Sequence, residues 1–551
     1  MSSALHTVRA YHRATKHHRH AFAPGPGFLD WDSQPDPFRR FVGAPLMPLP
    51  LIGGRGRCSY EALYEPGARS PQALSPESLG LMLELALGLS AWKVAGSDRW
   101  ALRNNPSSGN LHPTEGYLLL WQRVSPELGP GLYHYAPREH ALECRALLSV
   151  RLADELAEAQ PGSFGALGLS SIIWREAWKY GARAYRYCQH DVGHALAAAR
   201  FAAAVPGWTL MVDTAAGDDE VAACLGLDRR DDFGEAEPEH PDLLALFGVH
   251  GFRPAVPAWT TVAEALGAWT GRANRLSTGR VGWPQIDQLL PAIHKPRTIS
   301  PAVERPLAGS IATTPGRRDI DACDLIRQRR SVQRMDGHSG MSRAAFERAL
   351  QRTLPSSGRA PFDALPSGPA LDLVLFVHAV HGLEPGLYAL IRTAGNCTSL
   401  RNACMNDALD WTALDDTALP LYRLKAPVDL RHAAARLSCD QDIAGDGAFA
   451  VAMLADIAEV LAGEGAWAYR RLYWEAGMIG QVLYLEAEAA GLRGTGIGCF
   501  FDDEVHRLLG LDTTVAATWQ SLYHFTVGLP LSDDRLTSEP PYAHLADRGR
   551  R

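Results

Sequence analysis

Residues 185–228 read YRYCQHDVGHALAAARFAAAVPGWTLMVDTAAGDDEVAACLGLD, and the same pattern returns 284 positions later, at residues 469–512. The two segments align without a gap, and both contain the run Asp-Asp-Glu-Val and end in Leu-Gly-Leu-Asp. A second anchor, Pro-Gly-Leu-Tyr, occurs at 130–133 and recurs 255 positions later, at 385–388. Similarity at a fixed spacing indicates a repeated structural unit. The chain is therefore predicted to contain two diverged copies of one domain, with 29 additional residues between the anchors of the second copy.

The size and composition of the chain restrict its class. With 551 residues, of which 46% are hydrophobic and 21% charged, it has enough apolar material for two globular cores. A net charge of -7 without a basic domain argues against a nucleic-acid partner. Nine scattered cysteines without a Cys-x-x-Cys pair favour reduced thiols over disulfides or structural zinc. No apolar run approaches 18 residues, so we expect a soluble cytoplasmic protein without a membrane span or a metal site.

Proline, glycine and charge patterns divide the chain into four parts. Residues 1–50 are predicted to be an extended N-terminal arm, and residues 51–255 a first domain. Residues 256–315 are rich in proline and are predicted to connect this domain to a second one at 316–551. The stretch 391–440 has no evident counterpart in the first half, which predicts a lid or a surface excursion.

Local patterns predict several elements. Residues 75–92 have helical spacing after a Ser-Pro start, and residues 115–121 form an apolar run typical of a buried strand. An alanine-rich helix is expected at 190–204, with its counterpart at 475–489. A charged helix is expected to begin the second half near Asp319.

The first motif with chemical potential joins a helix to a strand. It consists of Arg103, Pro106, Ser107, Ser108 and Gly109. Small residues let backbone N–H groups approach a flat ligand closely. The alternative interpretation is a surface turn.

The second motif consists of Arg329, Arg330, Ser331 and Arg334. Three guanidinium groups and a hydroxyl suit a phosphate, which accepts bidentate, charge-assisted hydrogen bonds. The alternative interpretation is a solvated basic face.

The third motif consists of Gly494, Thr495, Gly496, Ile497 and Gly498. Glycines after a helix let the chain lie against a ligand with free N–H donors. Their spacing is not that of the dinucleotide-binding fingerprint. The alternative interpretation is a glycine-rich connection between a helix and a strand.

Together these motifs resemble the nitroreductase superfamily of flavin enzymes, and in particular its SagB-type dehydrogenase branch, which includes thiazole/oxazole-forming oxidases of peptide natural-product pathways. The resemblance rests on four stretches: RNNPSSGNLHPTEGYLLL (103–120), WKYGARAYRYCQHDVGHA (178–195), RQRRSVQR (327–334) and YWEAGMIGQVLYLEAEAAGLRGTGIGCFFDDEV (473–505). It implies an α+β fold with two tandem nitroreductase-like domains as an intramolecular pseudo-dimer, each with helices around a mixed, mainly antiparallel sheet. It also implies the cofactor FMN at the interface, between the Arg/Ser and glycine motifs of one half and the Pro-Ser-Ser motif of the other.

The two copies differ in a way that bears on this implied site. At the positions that match the three glycines, the first half has Leu210, Val212 and Thr214. Its nearest match to Arg-Arg-Ser is the partial 57–59. In the second half, Pro-Ser-Ser-Gly is matched by 366–368, one residue short, or by 355–358 if the alignment slips. We therefore expect one intact composite site, one eroded site and one FMN per chain.

Three further residues receive roles from the resemblance. Arg535 resembles a C-terminal basic residue that reaches the FMN phosphate, and Lys179 with Tyr180 matches a Lys-Tyr pair implicated in azoline oxidases. An ammonium group next to a phenol lowers its pKa and makes it a better base. The matching positions in the second half, Gly463 and Glu464, cannot act in this way. The alternative is an amphipathic pair, with the lysine solvated and the tyrosine packed.

The resemblance implies an FMN-dependent oxidoreductase. The first expectation is a dehydrogenase or oxidase of a small molecule or modified peptide, with azoline-to-azole oxidation or a related desaturation, electron transfer to oxygen, and a cyclodehydratase-type partner. A second expectation is a reductase that uses NAD(P)H to reduce a nitro group, quinone or enone. A third is a non-catalytic partner subunit that has lost FMN.

Overall fold

The structure is a computed structural model that describes residues 3–53, 58–65, 67–252, 258–299, 320–356, 358–393, 395–514 and 516–545. The helices of its first half are α1 (Ser3–Ala14), α2 (Pro76–Leu87), α3 (Val150–Ala159), α4 (Ile173–Tyr180), α5 (Ala184–Ala204), α6 (Asp218–Leu225), α7 (Arg230–Phe233), α8 (Trp259–Glu264) and α9 (Pro284–Ala292). The strands of this half are β1 (Phe41–Val42), β2 (Leu46–Pro48), β3 (Leu89–Ala95), β4 (Asp98–Arg103), β5 (Thr114–Leu120), β6 (Gly131–Ala136), β7 (Ala141–Leu148), β8 (Ser163–Ser171), β9 (Trp208–Val212), β10 (His240–Val249), β11 (Leu266–Gly267) and β12 (Arg272–Ala273).

The second half repeats this series. Its helices are α10 (Ala322–Gln328), α11 (Arg343–Thr353), α12 (Asn396–Ala403), α13 (Arg431–Leu437), α14 (Ile443–Asp446), α15 (Ile457–Glu464), α16 (Ala468–Ala489) and α17 (Asp502–Leu509). Its strands are β13 (Met341–Ser342), β14 (Leu371–Val377), β15 (Val380–His381), β16 (Gly386–Leu390), β17 (Thr412–Ala413), β18 (Leu421–Lys425), β19 (Phe449–Asp456), β20 (Arg493–Ile497), β21 (Trp519–Gly528) and β22 (Thr537–Glu539).

Each half is built around one large sheet, and six strands of the two sheets share the same topology, whereas the edge strands β11 and β17 come from different places in the chain. The orders are β11-β7-β6-β5-β8-β10-β9 and β17-β18-β16-β14-β19-β21-β20. The pairings along both orders are antiparallel, so the prediction of mixed sheets is wrong for these strands. Alternate residues of β5 face two separate cores: Leu118 packs toward the helices between the sheets, and Leu119 toward the outer layer. Because both faces are covered, the central strands β5 and β14 are buried along their whole length and are mainly apolar.

The two halves meet where α5 crosses α16, and each helix has a glycine at the crossing. A Cβ atom added to Gly193 would lie 2.1 Å from the carbonyl oxygen of Trp474. A Cβ atom added to Gly477 would lie 2.2 Å from the carbonyl oxygen of His190. These two contacts are equivalent under the 284-residue offset, so they are related by an approximate two-fold axis between the halves.

A pair of buried ionic contacts obeys the same symmetry. Arg186 Nη1 lies 2.8 Å from Asp502 Oδ1, and Arg470 Nη2 lies 2.5 Å from Asp218 Oδ1. Each arginine belongs to one half and each carboxylate to the other. The intramolecular pseudo-dimer expected from the repeat is therefore present in the fold.

Most of the predicted central elements are confirmed. The helices expected at 190–204 and 475–489 lie within α5 and α16, and the strand expected at 115–121 corresponds to β5. The helix expected at 75–92 is shorter than predicted because α2 ends at Leu87. The chain continues from Gly88 directly into β3. Asp319 lies outside the described residues, and the helix expected there, α10, begins at Ala322.

The N-terminal arm is not extended throughout, contrary to the prediction for residues 1–50. It begins with α1, whose Tyr11 is buried and donates a hydrogen bond to the carbonyl oxygen of Ala182 at 2.7 Å. Lys16, just after α1, lies 2.6 Å from Asp503 of the second half. The apolar side of this helix is covered by both halves, which a local sequence pattern cannot reveal.

The connection and the proposed insertion are also more ordered than predicted. In the described part of 256–315, β11 pairs with β7 at the edge of the first sheet, and residues 300–315 lie outside the described part. Within 391–440, β18 pairs with β16 and occupies the place that β7 has in the first half. The stretch 391–440 thus contributes β17 and β18 to the sheet of the second half, and the domain bounds stay predictions.

The C-terminal segment returns to the first half. Strand β22 pairs with β3, and the backbone N–H of Leu89 donates to the Tyr542 hydroxyl at 2.8 Å. Among the described residues, a search for a helix with the length and apolarity of a membrane span finds none.

Candidate active site

A cavity of about 1580 Å³ lies between the two halves, and we call it the main cavity. The first half contributes the loop 106–112 and part of the β3–β4 hairpin, and the second half contributes residues 329–333. Segments 34–38 and 530–533 complete its walls. Small-molecule sites typically measure roughly 300–1,000 Å³. The main cavity therefore has room for a cofactor and a second molecule. No residue of 391–440 lines it, so the lid interpretation of that stretch finds no support.

The Pro-Ser-Ser loop is attached to α5 by a carboxylate. Asp191 Oδ1 accepts hydrogen bonds from the backbone N–H of Ser108 at 3.1 Å and from its hydroxyl at 3.2 Å. Ser107 Oγ accepts the backbone N–H of His112 at 2.8 Å. Gly109 has a φ of +59°, a conformation that favours glycine. Arg103, Pro106, Ser107, Ser108 and Gly109 all line the main cavity, as does Asp191.

Lys179 and Tyr180 end helix α4 beside this loop. Lys179 lines the main cavity, and its Nζ lies 5.4 Å from the centre of the Tyr180 ring. Tyr180 packs behind Gly109, where an added Cβ atom would lie 2.5 Å from the phenol oxygen. Its ring also meets that of Tyr187 edge-on, with the centres 4.6 Å apart.

The environment of Tyr180 opposes the predicted role of a base. Burial, followed by the nearby carboxyl of Glu176, raises the pKa of the Tyr180 phenol well above its ordinary value. The expectation that Lys179 lowers this pKa is therefore wrong, because the low-polarity surroundings and nearby acids outweigh one ammonium group. Tyr180 remains a neutral phenol that can donate a hydrogen bond.

The Arg/Ser motif and the glycine motif lie side by side. Ser331 and Gly494 form a parallel β-bridge, and the backbone N–H of Val332 donates to Thr495 Oγ1 at 3.0 Å. Ser331 Oγ lies 2.8 Å from the hydroxyl of Tyr484. Arg329 extends toward the first half, where its Nη2 donates to the carbonyl oxygen of Arg103 at 3.0 Å. This hydrogen bond joins motifs that lie 226 positions apart in the chain.

One end of the main cavity is a cluster of cations, Lys93, Arg329, Arg330 and Arg493. Burial and the charges of neighbouring arginines lower the pKa of Arg330 to about 10. The same two causes lower the pKa values of Lys93 and Arg329. The Nε and Nη1 atoms of Arg329, which is 3% exposed, have no hydrogen-bond partner among the described residues.

The acid that faces this cluster is Glu488, 3.7 Å from Arg493. Four cations with one carboxylate and unused buried N–H groups make a strong site for an anion with several oxygens, such as a phosphate group. Lys93 and Arg493 did not emerge from the sequence as candidates, although Arg493 lies inside the glycine-rich stretch.

The glycines of the third motif have a different role from the predicted one. An added Cβ atom would lie 2.6 Å from the ring of Phe525 at Gly494, 1.9 Å from the hydroxyl of Tyr523 at Gly496, and 2.2 Å from the ring of Tyr187 at Gly498. The space beside each glycine is therefore occupied by an aromatic side chain of the protein itself. Thr495 and Gly496 line the main cavity, whereas Gly494, Ile497 and Gly498 do not.

Two predicted phosphate ligands lie away from the main cavity. The side chain of Arg535 is 86% exposed and forms an ion pair with Asp533 at 2.7 Å. Arg334 is exposed as well, and neither residue lines the cavity. Basic residues near a motif are chemically equivalent in the sequence, and which of them turn inward is decided by the tertiary fold.

The pseudo-equivalent region on the other side of the two-fold axis is closed. Residues that match the lining of the main cavity, including Val212 and Ser367, surround a space of only about 30 Å³. Lys295 occupies this region: its Nζ donates to the carbonyl oxygen of Ala216 at 2.8 Å and lies 5.0 Å from the centre of the Trp467 ring. Of the partial motifs that sequence comparison suggested here, Arg57 and Ser357 lie outside the described residues.

Comparison with known proteins identifies the fold. Residues 326–529 match the model of the nitroreductase family. This match lies within the second half. A solved structure from Anabaena variabilis, assigned as a candidate nitroreductase, is 22% identical, with a TM-score of 0.68, and the match covers 95% of this chain and 99% of that one. The whole chain thus has an α+β fold of two tandem nitroreductase-like domains.

Other solved structures match one part of the chain. A candidate nitroreductase of Ralstonia eutropha is 16% identical over 42% of this chain and 91% of its own, with a TM-score of 0.27. The E. coli microcin synthetase McbBCD complex with truncated pro-MccB17 bound contains a chain that is 21% identical over 38% of this chain and 69% of its own, with a TM-score of 0.26. Among curated proteins, none matches the chain.

Proposed function

We propose that the chain is an FMN-dependent oxidoreductase with one composite cofactor site in the main cavity. The observation that supports this most strongly is the cation cluster of Lys93, Arg329, Arg330 and Arg493, in which Glu488 is the carboxylate that interacts with the arginines among the described residues. Buried guanidinium groups of like charge are costly unless an anion joins them. The FMN phosphate is such an anion, and its bound charge would complete the hydrogen bonding of Arg329.

The remainder of the cavity suits the flat ring of the cofactor. Ser107, Ser108 and Gly109 of the first half would lie against it from one side, and Thr495 and Gly496 of the second half from the other. FMN, when bound, supplies hydride transfer to or from a second molecule. The closed counterpart on the other side of the two-fold axis leaves no comparable space, which supports one FMN per chain.

We propose that the reaction is the dehydrogenation of a small molecule or modified peptide, such as oxidation of an azoline to an azole or a related desaturation. Removal of hydrogen from a carbon atom requires a group that accepts a proton. Asp191 lines the main cavity and is such a group, and the ammonium group of Lys179, which lines the same cavity, would exchange the proton with solvent. A cyclodehydratase-type enzyme, which would produce an azoline substrate, is the corresponding partner.

The first experiment is to measure the FMN content of the purified protein by its visible absorption and by release of the cofactor. We expect a yellow protein with one FMN per chain, or a chain that takes up one equivalent of added FMN. A colourless protein that takes up none would contradict the proposal and favour a non-catalytic partner subunit.

A second experiment tests the direction of the reaction. The flavoprotein is mixed rapidly with NADH or NADPH in the absence of oxygen, and the visible absorption is followed. We expect slow or no bleaching, as a dehydrogenase does not need either donor. Rapid bleaching would contradict the dehydrogenase proposal and favour a reductase of nitro groups, quinones or enones.

A further inference from the structure

Two carboxyl groups lie buried together behind the Pro-Ser-Ser loop. Glu176, on α4, is 0% exposed; its carboxylate oxygens have no well-formed hydrogen bond among the described residues, and the Ser107 side chain is the donor that interacts with both Glu176 and Asp191. Asp191, on α5, is 1% exposed, lines the main cavity and accepts the hydrogen bonds of Ser108. Two buried carboxyl groups cannot both ionise without a cation between them.

The charges around this pair do not neutralise two anions. The ionisable groups that interact with it are Lys179, Tyr180, Cys188 and Tyr523. Of these, Lys179 is the only cation, and it sits one turn from Glu176 on the same helix. Burial, followed by the charge of Asp191, raises the pKa of Glu176 well above its ordinary value. Burial also raises the pKa of Asp191 to about 7.

The other half of the chain has no such pair. The position that matches Glu176 is Val460, and the position that matches Asp191 is Glu475. Glu475 forms an ion pair with Arg392 and accepts the backbone N–H of Ala370 at 2.9 Å. A single buried carboxylate with a cation is an ordinary structural solution. The unneutralised pair exists only beside the open cavity, where burying it has a functional rather than a structural explanation.

We propose that Glu176 and Asp191 share one proton and form the acid–base pair of the main cavity, with Asp191 as the proton acceptor at the cavity wall and Glu176 as a positioning residue behind it. This inference rests on the proposed function. When a C–H bond and the adjacent C–H or N–H bond of the substrate break, one proton goes to the Asp191 carboxylate. The other hydrogen leaves with two electrons as hydride, to the oxidant that the proposed function supplies. The proton then returns to solvent along Lys179, which regenerates the singly protonated pair.

The decisive measurement is infrared spectroscopy of the full-length purified protein, which detects the C=O stretch of a protonated carboxyl group. We compare wild type, Glu176→Gln and Glu176→Asp at pH 7, with Asp372→Asn as the control. Asp372 is a buried acid of the second half, bonded to Asn396 and remote from the cavity lining. We expect a protonated-carboxyl band that disappears in Glu176→Gln, returns in Glu176→Asp and persists in Asp372→Asn. A spectrum in which Glu176→Gln leaves the band unchanged would overturn the proposal.

The second measurement is the pH dependence of kcat for the same variants. Without the neighbouring acid, Asp191 should ionise at lower pH, so we expect the acid limb of the profile to move to lower pH by at least one unit in Glu176→Gln and to stay in place in Asp372→Asn. A band that depends on Glu176 together with an unmoved profile would refute the acid–base role. The infrared comparison does not require FMN. A chain that shows the band but binds no FMN would therefore refute the proposed function and retain the shared proton.

Discussion

The two sides of the pseudo-two-fold axis differ in the space that the halves enclose. On one side the halves enclose about 1580 Å³, and on the other about 30 Å³. The contacts at the axis itself are kept on both sides: Gly193 and Gly477 pack in the same way, and the two buried Arg–Asp pairs are equivalent. The features needed to hold the halves together are thus symmetric, whereas the features that line the open cavity are not. Assembly and cofactor chemistry are separable properties of this fold.

The largest expected difference between the two sides is the loss of turnover on substitution of Lys179. In Lys179→Ala we expect turnover to fall by roughly 10²–10⁴-fold with FMN retained, since positioned proton-transfer groups contribute about this much. The control is Glu464→Ala. Glu464 lies in the closed region and directly follows Gly463, the residue that matches Lys179, and we expect turnover of this variant within twofold of wild type. Steady-state kinetics with flavin content measured in parallel would check both. Unchanged turnover in Lys179→Ala would place proton transfer elsewhere.

Substitutions at the pseudo-two-fold axis test the symmetric contacts between the halves. Gly193→Ala and Gly477→Ala each place a Cβ atom within 2.2 Å of a backbone carbonyl oxygen. We expect both to lower the free energy of unfolding by at least about 1–3 kcal/mol, and by similar amounts, because overpacking of a rigid contact costs this much. Urea unfolding would measure it. Gly463→Ala, where an added Cβ meets no atom within 4 Å, is the control and should have little effect.

If the cation cluster holds the FMN phosphate, Arg330→Ala should weaken FMN binding. One charge-assisted hydrogen-bonding group contributes about 1.5–3 kcal/mol, which corresponds to roughly a 10–100-fold higher Kd for FMN. Fluorescence titration of the apoprotein with FMN would measure this. Arg535→Ala is the control, since that side chain is exposed and paired with Asp533. Equal weakening of FMN binding in both variants would contradict the proposal that the cation cluster holds the FMN phosphate.

A further expected effect is a change in the pH dependence of stability. Asp191 has a folded-state pKa of about 7 against an ordinary value of 3.8, so the folded chain retains a proton that the unfolded chain releases. Its contribution to stability is therefore complete below pH 3.8 and is lost as the pH rises to about 7. Asp191→Asn should remove up to about 1.4 kcal/mol per pH unit of this slope. The free energy of unfolding of wild type and Asp191→Asn is measured from pH 4 to pH 8. Equal slopes against pH in the two proteins would show that Asp191 does not titrate in this range.

The repeat made the fold predictable, and local chemistry made part of the site predictable. The matching glycines and acidic runs predicted equivalent helices. Glycine is needed where two helix backbones approach closely, so a glycine that recurs at the same spacing marks a recurring contact. The Pro-Ser-Ser loop, Arg329 and Arg330 are predictable because their residue types are unusual in their local setting, and Lys179 is predictable from the family resemblance. All of these line the main cavity.

The remaining features depend on long-range packing. Arg535 and Arg493 are equivalent as basic residues, and only the fold turns one outward and the other toward the cavity. Glu176 reads as a normal surface position on a charged helix, and its burial beside Asp191 arises when α4 packs on α5. The effect of Lys179 on Tyr180 was misjudged because adjacency in sequence does not measure the polarity around a phenol.

The reciprocal Arg186–Asp502 and Arg470–Asp218 pairs carry a consequence for protein engineering. Each half contributes one arginine and one aspartate to these pairs, so the interface is self-complementary. A homodimer of either half would retain the same reciprocal contacts, and the pairs therefore do not select between partners. A homodimer of the second half would have Arg329, Arg330 and Arg493 twice, and would lack both Lys93 and the Pro-Ser-Ser loop. The covalent fusion therefore fixes a stoichiometry that two separate genes would have to regulate.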